Sequence, residues 1–532
     1  MKNQPSVFQK RIVIAAAFSV AAFALVGLRL ADITLLKGAI SGAHGTKLAP
    51  ETFARADLRD RNGVLLARDL PVTDVGARPE YFWDKRQAAH DLAVATGANE
   101  ARLARQFQTK PYVLVAQRIT PDMLDKVMQL GLPALDLMPQ EKRYYPMARE
   151  AAQVIGVTEP DGKGISGLEM GLDTRLRGDN KPIVTSLDAR VQFILSHELS
   201  QAITDYHAHA VGGIVMDVNS GEVIAMASLP DFNPNARGHQ QGDSTRNVMA
   251  QDAYELGSVF KVFAFTLAME DHTTRPDEYF PIAAGFHIGN HTIHDAEALP
   301  AQMMAKDILA QSSNVGTAQI ALRSGPTRQK AFLKSLGLLN SVRSELPERR
   351  GSTYPSNWGQ TETATIGFGH GIMVSPLTFV TAAATVVNGG RKITPTFLRN
   401  PGDHRGAQLI KPETSDQMRE LLRYDVTNGT GRNADVPGYD VGGKTGSAEK
   451  NANGRYVAHK LLTSFCAVFP VHDPRYVVFV MIDEPHGEKA SGVMALAGHT
   501  AAPLAGRVVS RIAPLLGVPR MTVQLAESNG KT

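Results

Sequence analysis

Three short motifs in a fixed order constrain this chain more than any other feature. They are Ser258-Val259-Phe260-Lys261, Ser312-Ser313-Asn314 and Lys444-Thr445-Gly446-Ser447. They supply a serine, a lysine one helical turn further on, a second hydroxyl beside an amide, and a cation on a segment that reads as a strand. Attack on an amide carbonyl next to a carboxylate, with the acyl group then held on the enzyme, needs that set of groups. They are spread from position 258 to position 447. They serve one reaction only if the fold brings a helix start, a loop and a late strand together.

Taken singly, each motif has an ordinary reading. Ser-x-x-Lys occurs at Ser258, Ser447 and Ser528. Ser528 lies in a polar tail and Ser447 overlaps the third motif. Only Ser258 opens a run with helical character, Val259 to Met269. Alone, Ser258 and Lys261 read as surface residues of an amphipathic helix. Gln311-Ser312-Ser313-Asn314 reads as a helix cap, and Val441 to Gly446 as a Gly-Lys turn. Together the three point to chemistry.

Ser258 at a helix N-terminus places its backbone N–H at the positive end of the helix dipole, where it can donate to a developing oxyanion. Lys261 lies on the same face, one turn on. It serves as a base only if neutral; burial among Phe260 and Phe263, the dipole, and a second cation at Lys444 all lower its pKa. Ser312 can relay a proton between Lys261 and a leaving amine. Asn314 offers a donor and an acceptor to a substrate amide. Lys444 and Thr445 offer charge and a hydroxyl to a substrate carboxylate. Gly446 lets substrate approach the strand edge, and the Ser447 N–H can be the second oxyanion donor. The catalytic set is therefore Ser258, Lys261, Ser312, Asn314 and Lys444, with Thr445, Gly446 and Ser447 binding substrate. No cofactor or metal is expected. His287, His291 and His294 lack a His-Glu-x-x-His pattern or a cysteine partner and read as a solvated loop.

With 532 residues there is room for more than one domain. The balance of 56 basic against 52 acidic residues, a net +4, is too small to argue for nucleic acid. Cys466 is the only cysteine, so no disulfide framework exists, and its apolar surroundings predict a buried structural thiol. The N-terminus differs. Ile12 to Leu28 carries no charge, Lys2, Lys10 and Arg11 precede it, and the stretch to Leu36 stays largely apolar. Its length exceeds the apolar region of a cleaved signal peptide, about 7–15 residues. Residues 12–36 are expected to form an uncleaved signal anchor. The 1–11 tail would then be cytoplasmic and the bulk of the chain outside, with a single pass.

Residues 37–55 read as a linker. Ala56 to Arg68 predicts a hairpin, with Asn62-Gly63 supplying the positive φ angles of a type I′ turn. Residues 56–195 form a mixed α+β module without a chemical motif. The module at 205–518 starts with a hairpin, Val211 to Asp217 and Glu222 to Ser228. Helices follow around 258–270 and 303–323. Another starts at Ser375-Pro376 and stops at Asn388-Gly389-Gly390. Strands return at 461–469 and 476–483, and a helix runs from about 501 to 516. The fold class is α+β, with early and late strands sharing one antiparallel sheet under packed helices. Residues 519–532 form a tail.

Beyond the motifs, the chain resembles class B penicillin-binding proteins, and among them the septal, cell-division peptidoglycan D,D-transpeptidases. The residues that carry the resemblance are Arg59-Asp60-Arg61-Asn62-Gly63, Lys142 to Pro146, Gly167-Leu168-Glu169, Tyr254 to Lys261, Gly367 to Gly371 and Ser375-Pro376-Leu377. Leu256 and Val259 depart from the family pattern at positions without a role. The resemblance implies the penicillin-binding transpeptidase fold, an antiparallel sheet with helices on both faces, after a non-catalytic pedestal. It implies D-Ala-D-Ala stem peptides as substrate and β-lactams as inhibitors. It also implies a partner glycan polymerase in the membrane, other divisome proteins, and an inner-membrane location with the bulk periplasmic. The rival readings are an elongation-type transpeptidase, a serine β-lactamase or β-lactam sensor, and a silent divisome scaffold.

Overall fold

Alternation along Tyr476–Asp483 sets the middle of the fold. Val477, Phe479 and Met481 enter one apolar core, while Val478, Val480 and Ile482 enter a second. A strand that buries both rows of side chains must sit between two layers of helix. The structure, a computed structural model, describes residues 16–27, 55–178, 181–236, 242–282, 285–452, 455–486 and 495–521. The sheet contains β1 (Ala210–Asp217), β2 (Val223–Leu229), β3 (Gly442–Ala452), β4 (Arg455–Phe469) and β5 (Tyr476–Asp483). Their order across the sheet is β3-β4-β5-β1-β2, and every pairing is antiparallel. Early and late strands thus share one sheet, and β3, with the Lys444 motif, lies on its edge.

One face is covered by α1 (Ala189–Tyr206) and, at the far end of the chain, α6 (Ala501–Ile512). Helix α1 falls astride the boundary between the expected modules, 56–195 and 205–518. In the structure α1 packs on β1 and β2 and against α6, so it belongs with the sheet. The other face carries α2 (Lys261–Glu270), α3 (Asn314–Ser335), α4 (Pro376–Val387) and α5 (Pro412–Asn428). Every residue of α2 except Glu270 is buried, as expected of a helix that is apolar all round. Below it, Phe260, Phe263, Phe379 and Phe479 form a chain of rings with centroids 5.0 to 5.5 Å apart, spacings at which aromatic pairs attract. The Ser375-Pro376 start forms as expected: Ser375 Oγ accepts from Thr378 N, and Pro376 opens the helix. Helix α3 is kinked at Gly325, ahead of Pro326.

The pedestal is built on the long strand Leu65–Ala77, paired on its two sides with Val113–Ile119 and Leu135–Tyr144. Helices Lys85–Thr96, Glu100–Thr109 and Pro121–Gln129 close a separate small core over it, capped by Asp84, Asn99 and Thr120. The hairpin at Asn62-Gly63 forms, but Gly63 alone of the pair takes positive φ, at +90°. Asp60 Oδ1 accepts from Asn62 N and Val64 N, both at 2.8 Å. An Asx-type turn thus replaces the expected type I′ turn.

Two ionic nodes tie the base of the pedestal together and join it to the sheet. Buried Glu169 accepts from Arg55 Nε at 2.6 Å and Arg143 Nε at 2.7 Å. Buried Glu222, just ahead of β2, pairs with Arg61 at 2.5 Å and Arg399 at 2.6 Å. The motifs around Arg59, Arg143 and Glu169 that bear no chemistry therefore build this junction. Residues 16–27 are helical and exposed. No helix among the described residues is long and apolar enough to cross a membrane. The rest of the expected anchor, the linker up to residue 54 and the tail from 522 lie outside the described residues.

Candidate active site

The chain reaches α2 through a 3-10 turn, Gly257–Phe260. Gly257 takes φ +61°, and a Cβ there would lie 2.7 Å from Ser447 O on β3. A Cβ on Gly446 would lie 2.5 Å from Leu256 O and 2.9 Å from Val259 Cγ1. The two glycines let the turn that carries Ser258 seat directly on the edge strand. The expectation gave Gly446 the job of clearing space for substrate. The structure fills that space with the serine turn itself.

Lys261 follows as the first residue of α2 and is fully buried. Its Nζ donates to Ser312 O and, at 3.1 Å, to Ser312 Oγ. Burial, and then the nearby Lys444 charge, push Lys261 well below the ordinary lysine range, against the opposing pull of Asp295 and Asp425. Ser312 holds φ +63°. That left-handed conformation costs a residue with a Cβ roughly 1–3 kcal/mol. Here it turns both the carbonyl and the hydroxyl of Ser312 toward one amine.

The cap reading and the site reading of the second motif both hold, on adjacent residues. Ser313 is the N-cap of α3: its Oγ accepts from Gly316 N at 3.0 Å and donates to Asp295 Oδ2 at 2.8 Å. Asp295 Oδ1 accepts from the backbone N–H groups of Asn314 and Val315. One loop carboxylate thus fixes the start of α3, and with it Ser312 and Asn314. A carboxylate is favoured at that positive helix end.

Lys444 on β3 is also fully buried. Its Nζ lies 2.9 Å from Asp425 Oδ2, with both side chains inaccessible. It donates to Thr445 Oγ1 at 3.1 Å and Thr430 Oγ1 at 3.3 Å, and those two hydroxyls are 2.6 Å apart. Asp425 Oδ1 accepts from Gly431 N at 2.7 Å. Ser447 Oγ accepts from Ala497 N at 3.1 Å.

These elements surround one cleft of about 710 Å³. Ser258, Ser312, Asn314, Thr445 and Ser447 line it, as do Asp295 and Thr430, while the lysines stand behind its walls. The buried Lys261 amine is bonded to Ser312, Ser258 opens onto the same cleft, and so does the threonine hydroxyl pair backed by Lys444. Ser447-x-x-Lys450 is a different matter. Lys450 is taken up by Asp483 at 2.9 Å and Glu484 at 2.8 Å.

Residues 211–509 match the model of the penicillin binding protein transpeptidase domain, more than half of the chain. The chain belongs to that family. Ahead of this transpeptidase domain, residues 50–204 match the penicillin-binding protein dimerisation domain. The relatives include a probable peptidoglycan D,D-transpeptidase FtsI of Caulobacter vibrioides, 36% identical over 90% of this chain and 84% of the relative. The FtsI of Escherichia coli K12 is 27% identical over 90% and 86%. The crystal structure of penicillin binding protein 3 from Mycobacterium tuberculosis, complexed with aztreonam, superposes with a TM-score of 0.69. It has 25% identity and covers 88% of this chain and 97% of its own. These matches agree with the class B, septal resemblance read from the motifs.

Three residues of this transpeptidase site escaped the sequence reading. Asp425 left a signal: it falls on the buried stripe of α5 with Thr414, Met418, Leu421 and Leu422, and a carboxylate in an apolar stripe needs a partner. Asp295 and Thr430 left none, since each sits in a short loop. The histidines also read differently in part. His287 and His291 lie on a small hairpin of Phe286–Ile288 and His291–Ile293 in place of a loop, while His294 follows it in a loop and all three are exposed as expected.

Proposed function

We propose that the chain is a septal peptidoglycan D,D-transpeptidase working through an acyl-enzyme on Ser258. One observation carries the reading: a buried, deprotonation-prone Lys261 bonded to Ser312 Oγ, with Ser258 and Ser312 opening onto the same cleft. Neutral Lys261 takes the Ser258 proton as Oγ attacks the penultimate D-Ala carbonyl. The Ser258 and Ser447 N–H groups hold the oxyanion. As the C–N bond breaks, the proton passes from Lys261 through Ser312 to the leaving D-Ala amine. An amine from a neighbouring stem then attacks the ester and gives up its proton to Lys261, and Ser258 departs with it. Asn314 binds the donor peptide's amide. The donor's terminal carboxylate meets the Thr445 hydroxyl, with Lys444 supplying charge from behind. A β-lactam imitates the D-Ala-D-Ala end and acylates the same serine.

Residues 12–36 would hold the enzyme in the inner membrane, beside a membrane glycan polymerase and other divisome proteins. Labelled penicillin should bind the wild type and not Ser258→Ala, and peptide mapping should place the adduct on Ser258. An adduct on Ser447 or Ser528 would overturn the assignment. The adduct should also persist, because fast hydrolysis needs a positioned general base for water, worth about 10²–10⁴ in rate. Rapid release of hydrolysed penicillin would favour a lactamase instead.

A further inference from the structure

Lys444 is the one member of the expected catalytic set whose charge is already committed to another side chain within the fold. It forms an ion pair with Asp425 Oδ2 at 2.9 Å and donates to the hydroxyls of Thr430 and Thr445. Lysine is a point charge on a flexible stem, so its head group goes where its partners place it. Of those partners, Asp425 alone is charged and wholly buried, and Gly431 N holds it in turn. The other two are hydroxyls that line the cleft.

We propose that Asp425 is a positioning residue for Lys444. It pins the ammonium behind Thr430 and Thr445, so that the cation polarises those two hydroxyls toward an incoming carboxylate while never entering the cleft. Asp425 touches no reacting atom; it acts through Lys444. The inference rests on the carboxylate-binding role given to Lys444 above.

The test compares acylation by a penicillin and by its methyl ester, which lacks the carboxylate. Asp425→Asn keeps the volume and removes the charge. It should lower the penicillin-to-ester rate ratio by about tenfold, the worth of one charge-assisted hydrogen bond. A merely structural role would slow both ligands alike. Lys444→Ala should lower the ratio as well, and Asp425→Asn added to Lys444→Ala should lower it no further, because the effect passes through the lysine. The double variant also guards against misfolding, since it leaves no bare buried charge. If Asp425→Asn fails to fold while the double variant folds, the coupling stands. An unchanged ratio in a folded Asp425→Asn overturns the proposal, as does a double variant that fails to fold or that falls further. If Lys444→Ala leaves the ratio intact, the carboxylate role of Lys444 has failed. If Ser258→Ala still acylates, the acyl-enzyme reading has failed. Each outcome is separate from a failure at Asp425 itself.

Discussion

Gly446→Ala tests whether the fit of the serine turn against the edge strand sets the reaction geometry. Gly446 does not take a positive φ, so alanine meets no backbone objection and the effect is purely one of space. The new Cβ would sit 2.5 Å from Leu256 O, 2.7 Å from Ser464 Oγ and 2.9 Å from Val259 Cγ1. The serine hydroxyl can swing away; the Leu256 carbonyl is main chain and cannot. Ordinary contact begins at 3.4 Å, so the turn and the strand must part by about 0.9 Å. Strand β3 is tied to β4 from Gly442 to Glu449, so the turn gives way and carries Ser258 with it. A misplacement of about 1 Å costs on the order of 10²-fold in rate, while overpacking costs about 1–3 kcal/mol of stability. Stopped-flow acylation by a fluorescent penicillin, with thermal melting of the same samples, measures both. Acylation at close to the wild-type rate would refute the claim that Gly446 is there to seat the turn.

Lys261→Arg should be nearly as damaging to acylation as Lys261→Ala, because guanidinium keeps its proton at any accessible pH; near-normal acylation by the Arg variant would remove Lys261 as the base. Folded Lys261 gives up a proton that the unfolded chain keeps, since its folded pKa is lowered. Stability should therefore rise with pH between that lowered value and the ordinary lysine value; urea titrations at several pH values should show this slope, and Lys261→Met should lose it. Glu169→Gln leaves Arg55 and Arg143, whose side chains are only 3% and 2% exposed, without their shared countercharge. Arg55 keeps Asp173 and Arg143 keeps Asp69, so the loss should be about 1–3 kcal/mol in urea unfolding, below that of a bare buried charge, with penicillin binding kept in the native state. Cys466 is half-buried and not fully buried as expected, and its desolvation pushes the thiol up to about 12, so a thiol reagent should modify it more slowly in the native protein than in urea.

The parts of this fold that follow local rules were legible in the sequence. The continuous apolar run at Tyr476–Asp483, the capped start at Ser375-Pro376 and the turn between β1 and β2 are all written within a few residues. What escaped depends on long-range approach. Gly446 reads locally as an open strand position, and only the arrival of Leu256 and Val259 shows what the missing side chain makes room for. Asn62-Gly63 carries the local signature of one turn, yet the Asp60 carboxylate imposes another. The site shows the same division. Ser258, Lys261 and Ser312 are named by motif, whereas Asp295 and Asp425 contact the motif segments from a loop and a helix elsewhere in the chain, where no motif spacing marks them.

The clamp around Arg55 bears on how the protein carries mechanical load. Arg55 is the first residue of the folded body, and its side chain reaches Glu169, Asp173 and the carbonyl of Gly162, while its N–H donates to Asp69 Oδ2 at 2.7 Å. Arg143 grips the carbonyls of Arg55 and Ala56 from the other side. A tug on the preceding chain therefore does not peel a frayed end one bond at a time. It loads several charge-assisted bonds at once, anchored in segments around 69, 143 and 162–173. Bonds strained together share the force and give way at a higher one. The folded body is thus reinforced at the point where a tether would pull.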